Sequence, residues 1–258
     1  MQTTRPLPPW APRLAAFAIL ANTTVFVVVN ICIYWARAAF AARNPEYIAE
    51  GPATISRAIS DPYVGDIFAI WVTGSAILLF LGVAALVAVS WHGIPRNAWP
   101  LRILCGLVVL FQATASVGMT MLSNFTFHNN HDGHMMGSYI FFAAQAFTVL
   151  TGLIASINVQ VNPDTRAAMQ AAGVLHPGAN RVRLWAGSAS VALVLAYVTL
   201  FVVKDFDLGA WKDTVYLIYV TTEPVTISSF LFFVLLYDWD LAMVLRRQPS
   251  TAQSGSPT

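Results

Sequence analysis

The residues best suited to chemistry form a short segment rich in histidine. The segment reads His-Asn-Asn-His-Asp-Gly-His and contains His128, His131 and His134. Imidazole groups supply metal ligands and general acids or bases that work near neutral pH. We therefore take all three histidines as candidate ligands of a divalent metal, and His128 and His134 as candidate bases. No zinc signature such as His-Glu-x-x-His is present, so histidines that are merely solvated are the plainer alternative.

Glu223 is the second candidate, because it lies inside an apolar stretch and is followed by Pro224. A carboxyl group at membrane depth is costly unless it is paired. Proline removes a backbone donor and tends to kink a helix. Glu223 is therefore either a hydrogen-bonded carboxyl that fastens one helix to another or a functional group of a site, and both interpretations remain open.

Asp61 is the third candidate and follows Ser60 in the segment Ile-Ser-Asp-Pro. Side chains of these types commonly form a turn or cap where the chain meets the membrane surface, which is the plainer interpretation. If the protein is catalytic, we expect acyl transfer or hydrolysis. His128 or His134 would then be the base or metal ligand, and Glu223 or Asp61 would be its partner.

These candidates belong to a chain that is too apolar to fold as a soluble globule. Of its 258 residues, 57% are hydrophobic and 10% are charged, which leaves too little polar surface for a water-soluble protein. A spanning helix needs roughly 20 apolar residues. Six runs have this length, and they predict an all-α membrane protein with six transmembrane helices in one bundle. The runs are Leu14–Ala36, Ile67–Ser90, Leu101–Ser123, Met136–Asn158, Leu184–Val203 and Val215–Tyr237.

The remaining composition sets the domain limits and excludes some partners. We expect one six-helix domain over residues 1–247 and a disordered tail, rich in Ser, Thr and Gln, over residues 248–258. Cys32 and Cys105 lie inside apolar runs, where a disulfide is not expected. The net charge of +2 includes no polybasic tract, so no nucleic-acid partner is predicted.

The basic residues between the apolar runs predict the direction of threading. Lys and Arg are retained on the cytoplasmic side of a membrane. The two termini and the second and fourth loops hold nine of them, and the opposite side holds five. Both termini are therefore predicted to be cytoplasmic.

This threading brings the three candidates to the same, outer side. Loop one, Arg37–Asp66, contains Asp61 and is long enough to form a structured cap over the bundle. The histidine segment lies in loop three on that side, and Glu223 lies in the outer half of its helix. One outer-leaflet site is therefore geometrically feasible, and its further members would be Asn30, Asp66 and Asn124.

Two further expectations concern structure alone. Gln112 and Gln145 lie deeper in the bundle and are predicted to form hydrogen bonds between helices. The segment from Asp164 to Gly173 in the fourth loop is predicted to form a short helix.

The order of these motifs resembles the Frag/DRAM/Sfk membrane family. That family includes damage-regulated autophagy modulators and a factor that remodels the lipid of GPI anchors. Pro62 and Tyr63 depart from the small residues of the autophagy modulators, whereas His128 and His131 are closer to the GPI-remodelling branch. The resembling elements, spread over most of the chain, are Ile59-Ser60-Asp61, Asp66 with Phe68, Asn124-Phe125-Thr126-Phe127-His128, His134 with Gly137, Glu223, and Tyr237-Asp238-Trp239.

The resemblance implies a multi-pass membrane protein that acts on or around lipids. The leading hypothesis is a lipid-handling protein in which an outer-leaflet polar pocket, bounded by loops one and three, admits a membrane lipid or an anchor glycolipid. The alternative is a non-enzymatic scaffold or regulator of the autophagy-modulator or phosphoinositide-signalling type, with membrane-protein partners. The resemblance implies no catalytic residue, so an enzyme and a non-enzyme both remain open. The implied location is an endomembrane or the plasma membrane in a eukaryote, and the inner membrane in a bacterium.

Overall fold

The structure is a computed structural model that describes residues 7–246. Within that range, every regular element is helical. The predicted tail over residues 248–258 lies outside the described residues. The α-helices are α1 (Ala11–Arg43), α2 (Pro45–Glu50), α3 (Ile55–Ala58), α4 (Pro62–Gly93), α5 (Trp99–Asn124), α6 (His131–Val161), α7 (Pro163–Ala172), α8 (Ala179–Val203), α9 (Lys212–Leu235) and α10 (Asp238–Arg246).

Six segments are long and apolar enough to cross a membrane, which confirms the predicted all-α bundle. They are α1, α4, α5, α6, α8 and the segment Gly209–Arg246, which contains α9 and α10. An even number of spans places both ends of the described chain on one side. We call this the terminal side, and we call the side that holds loop one and the histidine segment the loop side.

The spanning helices extend beyond the apolar runs because polar residues at their ends continue or cap them. The fourth span begins at His131, where the Asn130 side chain accepts a hydrogen bond from Gly133 N at 2.9 Å. The second span begins at Pro62, where Asp61 accepts a hydrogen bond from Tyr63 N at 3.0 Å. Capping groups of this kind satisfy backbone donors that the first turn of a helix leaves free.

Small residues bring α5 and α6 close together. A methyl group added at Gly118 would lie 2.4 Å from Phe141 N, and one added at Gly137 would lie 2.6 Å from Leu122 N. Both distances are shorter than van der Waals contact, so only glycine fits at these crossings. Close backbone approach through small residues is a common way to associate helices in lipid.

Loop one forms the structured cap that its length predicted. It folds into α2 and α3, and α3 packs against α1 and α9 on the loop side. The Thr54 side chain caps α3 by accepting a hydrogen bond from Arg57 N at 3.0 Å. Ile55 and Ile59 of this segment are buried in the main apolar core. We refer to α3 as the cap helix.

The two structural expectations have different outcomes. The predicted fourth-loop helix is α7, and it ends at Gly173, whose φ of 76° is in the left-handed region that favours glycine. Gln112 and Gln145 are both buried, but neither amide atom of Gln145 has a hydrogen-bond partner among residues 7–246, and the amide oxygen of Gln112 has none either. The predicted interhelical hydrogen bond of Gln145 is therefore not formed.

Candidate functional site

His134 lies in the first turn of α6 and points into the protein. It is 1% exposed. Its Nδ1 atom lies 2.7 Å from the carbonyl oxygen of Phe125 and 3.0 Å from that of Leu122. Its Nε2 atom lies 2.9 Å from Ser56 Oγ, on the cap helix.

These three contacts define the hydrogen-bonding roles of the ring. A carbonyl oxygen only accepts hydrogen bonds, so Nδ1 must carry the hydrogen that binds Phe125 and Leu122. In the neutral ring, Nε2 then has a free lone pair and accepts a hydrogen bond from the Ser56 hydroxyl group. The arrangement is therefore that of a base facing a hydroxyl group.

Glu223 reaches the same cap helix from α9. It is 4% exposed, and its Oε2 atom accepts a hydrogen bond from Ile55 N at 2.9 Å. Arg37 on α1 is a positive charge that interacts with this carboxyl group. Since Ile55 and Ser56 are neighbours in the chain, the cap helix brings Glu223 and His134 into one cluster.

A small cavity lies next to this cluster. Its volume is about 30 Å³, which is room for about one water molecule and too little for an acyl chain. Ser56, Ser138 and Glu223 supply its polar lining, and the rest is apolar. The apolar lining consists of Val29, Ile33, Ile55, Ile59, Phe68, Val72, Met119, Leu122, Phe141, Phe142 and Ile227.

The other two histidines do not join His134. His128 and His131 are exposed, and His131 lies 3.7 Å from the exposed carboxylate of Asp132. Among the described residues, no three His, Cys, Asp or Glu side chains come together as metal ligands. The predicted metal site at His128, His131 and His134 therefore gains no support from the geometry, because His134 is turned inward and the other two face outward.

Asp61 caps α4 and does not contact the His134 ring. Its Oδ2 atom accepts hydrogen bonds from Arg43 Nε at 2.9 Å and Asn44 Nδ2 at 3.4 Å. Burial is the largest single influence and opposes the charge of Asp61. Hydrogen bonds from Arg43, Asn44 and Val64 N and the charge of Arg43 together outweigh it and lower the pKa of Asp61. The role of Asp61 here is that of a helix cap and a partner of Arg43.

The remaining expected members of an outer site have other partners. Asp66 is exposed near the start of α4. Asn124 Nδ2 donates to Thr73 Oγ1 at 2.8 Å, and Asn30 Oδ1 accepts from Ser228 Oγ at 2.5 Å. These asparagines hold helices together rather than joining the cluster of Ser56, His134 and Glu223.

Ser56 is the functional candidate that sequence reasoning missed. A serine in a polar loop is common, and nothing in its neighbours marks it as a partner of a histidine 78 residues away. The histidine and the glutamate were identifiable because they interrupt or border apolar stretches. The serine becomes significant only through its position on the cap helix.

A second buried polar cluster on the terminal side was also missed. Asn22 Nδ2 on α1 donates to Asp238 Oδ1 on α10 at 2.9 Å. Arg183 on α8 pairs with Asp240 on α10. The signal that could have found this cluster is the presence of charges at the ends of spanning helices, where buried charges are normally paired.

A comparison with models of protein families decides the family. The model described as the Frag1/DRAM/Sfk1/Cwh43P N-terminal domain matches residues 10–244. The chain belongs to this Frag1/DRAM/Sfk1 family. The match confirms the resemblance that the motifs indicated, and it includes all six spans and the cap helix of this family member. Comparisons with curated proteins and with solved structures gave no significant match.

Proposed function

We propose that this Frag1/DRAM/Sfk1 family protein handles a membrane lipid or an anchor glycolipid at the loop side of its bundle. The observation that carries the proposal is the apolar cavity beneath the cap helix, with Ser56 and Glu223 in its lining. Apolar walls with a few converging polar groups are typical of sites that bind small amphipathic molecules. A lipid presents the same combination of an apolar chain and a polar head.

The size of the cavity adds a condition to this proposal. At about 30 Å³ it accommodates no acyl chain, so the apolar walls of the cavity must move apart when a lipid binds. Two side-chain hydrogen bonds hold the cap helix to the bundle, one to Glu223 and one to His134. The proposal requires that these two bonds persist while the walls separate, and the buried Ile55 and Ile59 then exchange contacts with the bundle for contacts with the lipid.

A photoreactive lipid tests this function. Full-length protein in lipid nanodiscs is illuminated with a diazirine-bearing phospholipid, and the attachment sites are mapped by mass spectrometry. We expect attachment at cavity residues such as Ile59, Phe142 and Ile227. Attachment restricted to outward-facing residues such as Ile70, which is 73% exposed, would contradict the proposal, because those residues meet bulk lipid.

A pair of matched variants on α4 sharpens this test. Val72 lines the cavity and is 1% exposed, whereas Ile70 faces outward on the same helix. We expect Val72→Phe to fill the cavity and to remove attachment inside it, and Ile70→Phe to leave that attachment unchanged. Equal attachment at the cavity residues in both variants would show that the lipid does not enter the cavity.

A second candidate function is a non-enzymatic regulator or scaffold with membrane-protein partners. The observation that favours it is that both Glu223 and His134 bind the cap helix, so the same contacts act as fasteners. If the protein is such a regulator or scaffold, substitution of His134 or Glu223 changes the stability of the cap helix and leaves lipid attachment unaffected.

A further inference from the structure

We propose that Ser56 and His134 form a nucleophile and general base that transfer an acyl group from a lipid ester. This inference rests on the proposed lipid-handling function and names its chemistry. The observation that carries it is the 2.9 Å separation between His134 Nε2 and Ser56 Oγ. A base within hydrogen-bond reach of a hydroxyl group is the geometry that activates a serine as a nucleophile.

The histidine is also oriented as a base must be. In many serine enzymes, a carboxylate binds the far nitrogen of the imidazole ring and fixes its tautomer. Here the carbonyl oxygens of Leu122 and Phe125 occupy that position, at 3.0 and 2.7 Å from Nδ1. The Phe127 ring packs edge-on against the imidazole, with centroids 4.7 Å apart. These contacts hold the free Nε2 lone pair toward Ser56.

The position of Ser56 indicates the class of substrate. Ser56 lines the cavity, whose walls include the buried side chains of Ile33 and Val72. An ester carbonyl placed at Ser56 would direct its acyl chain toward those apolar walls once the walls move apart. The site therefore favours a long-chain lipid ester over a short, polar one.

The proposed reaction needs only these two residues and two substrates. When Ser56 Oγ attacks the ester carbonyl carbon, the hydroxyl proton passes to His134 Nε2. The bond between the acyl carbon and the alcohol oxygen breaks, the alcohol takes the proton from His134, and an acyl ester remains on Ser56. A water molecule or the hydroxyl group of a second lipid then gives a proton to His134, attacks the acyl carbon and releases Ser56, which takes the proton back.

Two nearby serines have different partners from Ser56, and Ser60, which does not line the cavity, provides the matched control. Ser60 Oγ donates to the carbonyl oxygen of Ser56 at 2.9 Å, and Ser138 Oγ donates to the carbonyl oxygen of His134 at 2.9 Å. Each of these hydroxyl groups is thus bound to a peptide oxygen, which is too weak a base to activate it. Of the three serines, only Ser56 has an imidazole nitrogen as its partner.

A long-chain alkyl fluorophosphonate tests the inference on full-length protein in nanodiscs. This reagent forms a stable ester with an activated serine, and the modified residue is identified by peptide mass spectrometry. We expect modification at Ser56 in the natural chain and in the Ser60→Ala variant, and none at that peptide in Ser56→Ala. We expect His134→Gln to slow the reaction by roughly 100-fold, the lower range for loss of a general base.

The outcomes separate this inference from the function on which it rests. His134 is buried, so its variant is compared only if its unfolding midpoint stays close to that of the natural chain. Mapping on the natural chain requires no variant at all. Absence of modification at Ser56 there, or an unchanged rate in a folded His134→Gln variant, would overturn the inference. If the photoreactive lipid still attaches inside the cavity, lipid handling stands without the acyl transfer.

Discussion

Arg183 on α8 and Asp240 on α10 form an ion pair that is buried on the terminal side of the bundle. Arg183 Nη1 donates to Asp240 Oδ2 at 2.5 Å, and the guanidinium group lies 4.4 Å from the centre of the Tyr237 ring. Asp240 also accepts a hydrogen bond from His176 N at 2.6 Å. The pair therefore joins α8, α10 and the segment that connects α7 to α8.

We expect Arg183→Met to destabilise the protein by about 3–5 kcal/mol, because it leaves the buried Asp240 carboxylate without its cation. Thermal unfolding in detergent measures the effect. Arg181→Met is the matched control, since Arg181 is exposed on the same helix. Equal unfolding midpoints for the two variants would show that the buried pair contributes little to stability.

We expect Gly118→Ala to weaken the packing of α5 against α6. The added methyl group would lie 2.4 Å from Phe141 N, a backbone atom that moves only with its helix, and overpacking of this kind costs about 1–3 kcal/mol. The control is Gly106→Ala on the same helix, where the added methyl group meets nothing within 4 Å. Unfolding midpoints in detergent measure the effect. If Gly106→Ala lowers the midpoint as much as Gly118→Ala does, the prediction is wrong.

We expect Glu223→Leu to loosen the cap helix, because leucine cannot accept the hydrogen bond from Ile55 N. A buried donor left without a partner costs about 1–3 kcal/mol. Hydrogen exchange of the amide groups in residues 51–60 should become faster. Glu223→Gln keeps a carbonyl oxygen at this position and serves as the control. Similar exchange rates in both variants would show that the hydrogen bond from Ile55 N does not stabilise the cap helix.

We expect Asp61 to make a small contribution to stability that depends on pH. The pKa of Asp61 in the folded protein is lower than the ordinary value of 3.8 because Arg43, Asn44 and Val64 N outweigh the effect of burial. The stabilisation is therefore complete above the ordinary value and is lost as the pH falls through the lower, folded value. Because the Arg43 side chain is half exposed, screening by solvent limits the effect to about 1 kcal/mol or less.

The check for Asp61 is the loss of stability between pH 6 and pH 3 at low salt. Asp61→Asn should show a smaller loss than the natural chain over this interval. Asp66→Asn is the control, since Asp66 is exposed at the start of the same helix. Identical pH profiles for the natural chain and Asp61→Asn would exclude this contribution.

The fold was largely predictable because each spanning helix is encoded locally. A run of apolar residues such as Ile67–Ser90 needs no distant partner to become a helix in a membrane, since lipid leaves its backbone groups no other donors or acceptors. The ends of the helices were less predictable. The fourth span begins five residues before the predicted Met136, because the capping side chain of Asn130 allows polar residues to continue the helix.

The candidate site was predictable only in part. Glu223 was identified because a polar side chain in an apolar environment must find a partner or a polar cavity. His134 was identified because it belongs to a segment rich in histidine. His128 and His131 have the same chemistry as His134 but face outward. The inward direction of the His134 ring depends on where Phe125 and Leu122 place their carbonyl oxygens, and this is a property of the packed loop.

The sequence alone thus determined the membrane environment, the six spans, the family resemblance and two of the polar residues that matter. The tertiary structure decided which groups meet, because the cap helix places Ile55 and Ser56 against a glutamate 168 residues away and a histidine 78 residues away. Apolar composition is a property of consecutive residues, so it can be read directly from the sequence. A hydrogen bond requires two specific atoms within about 3 Å of each other, and only the packing of distant segments fixes that distance.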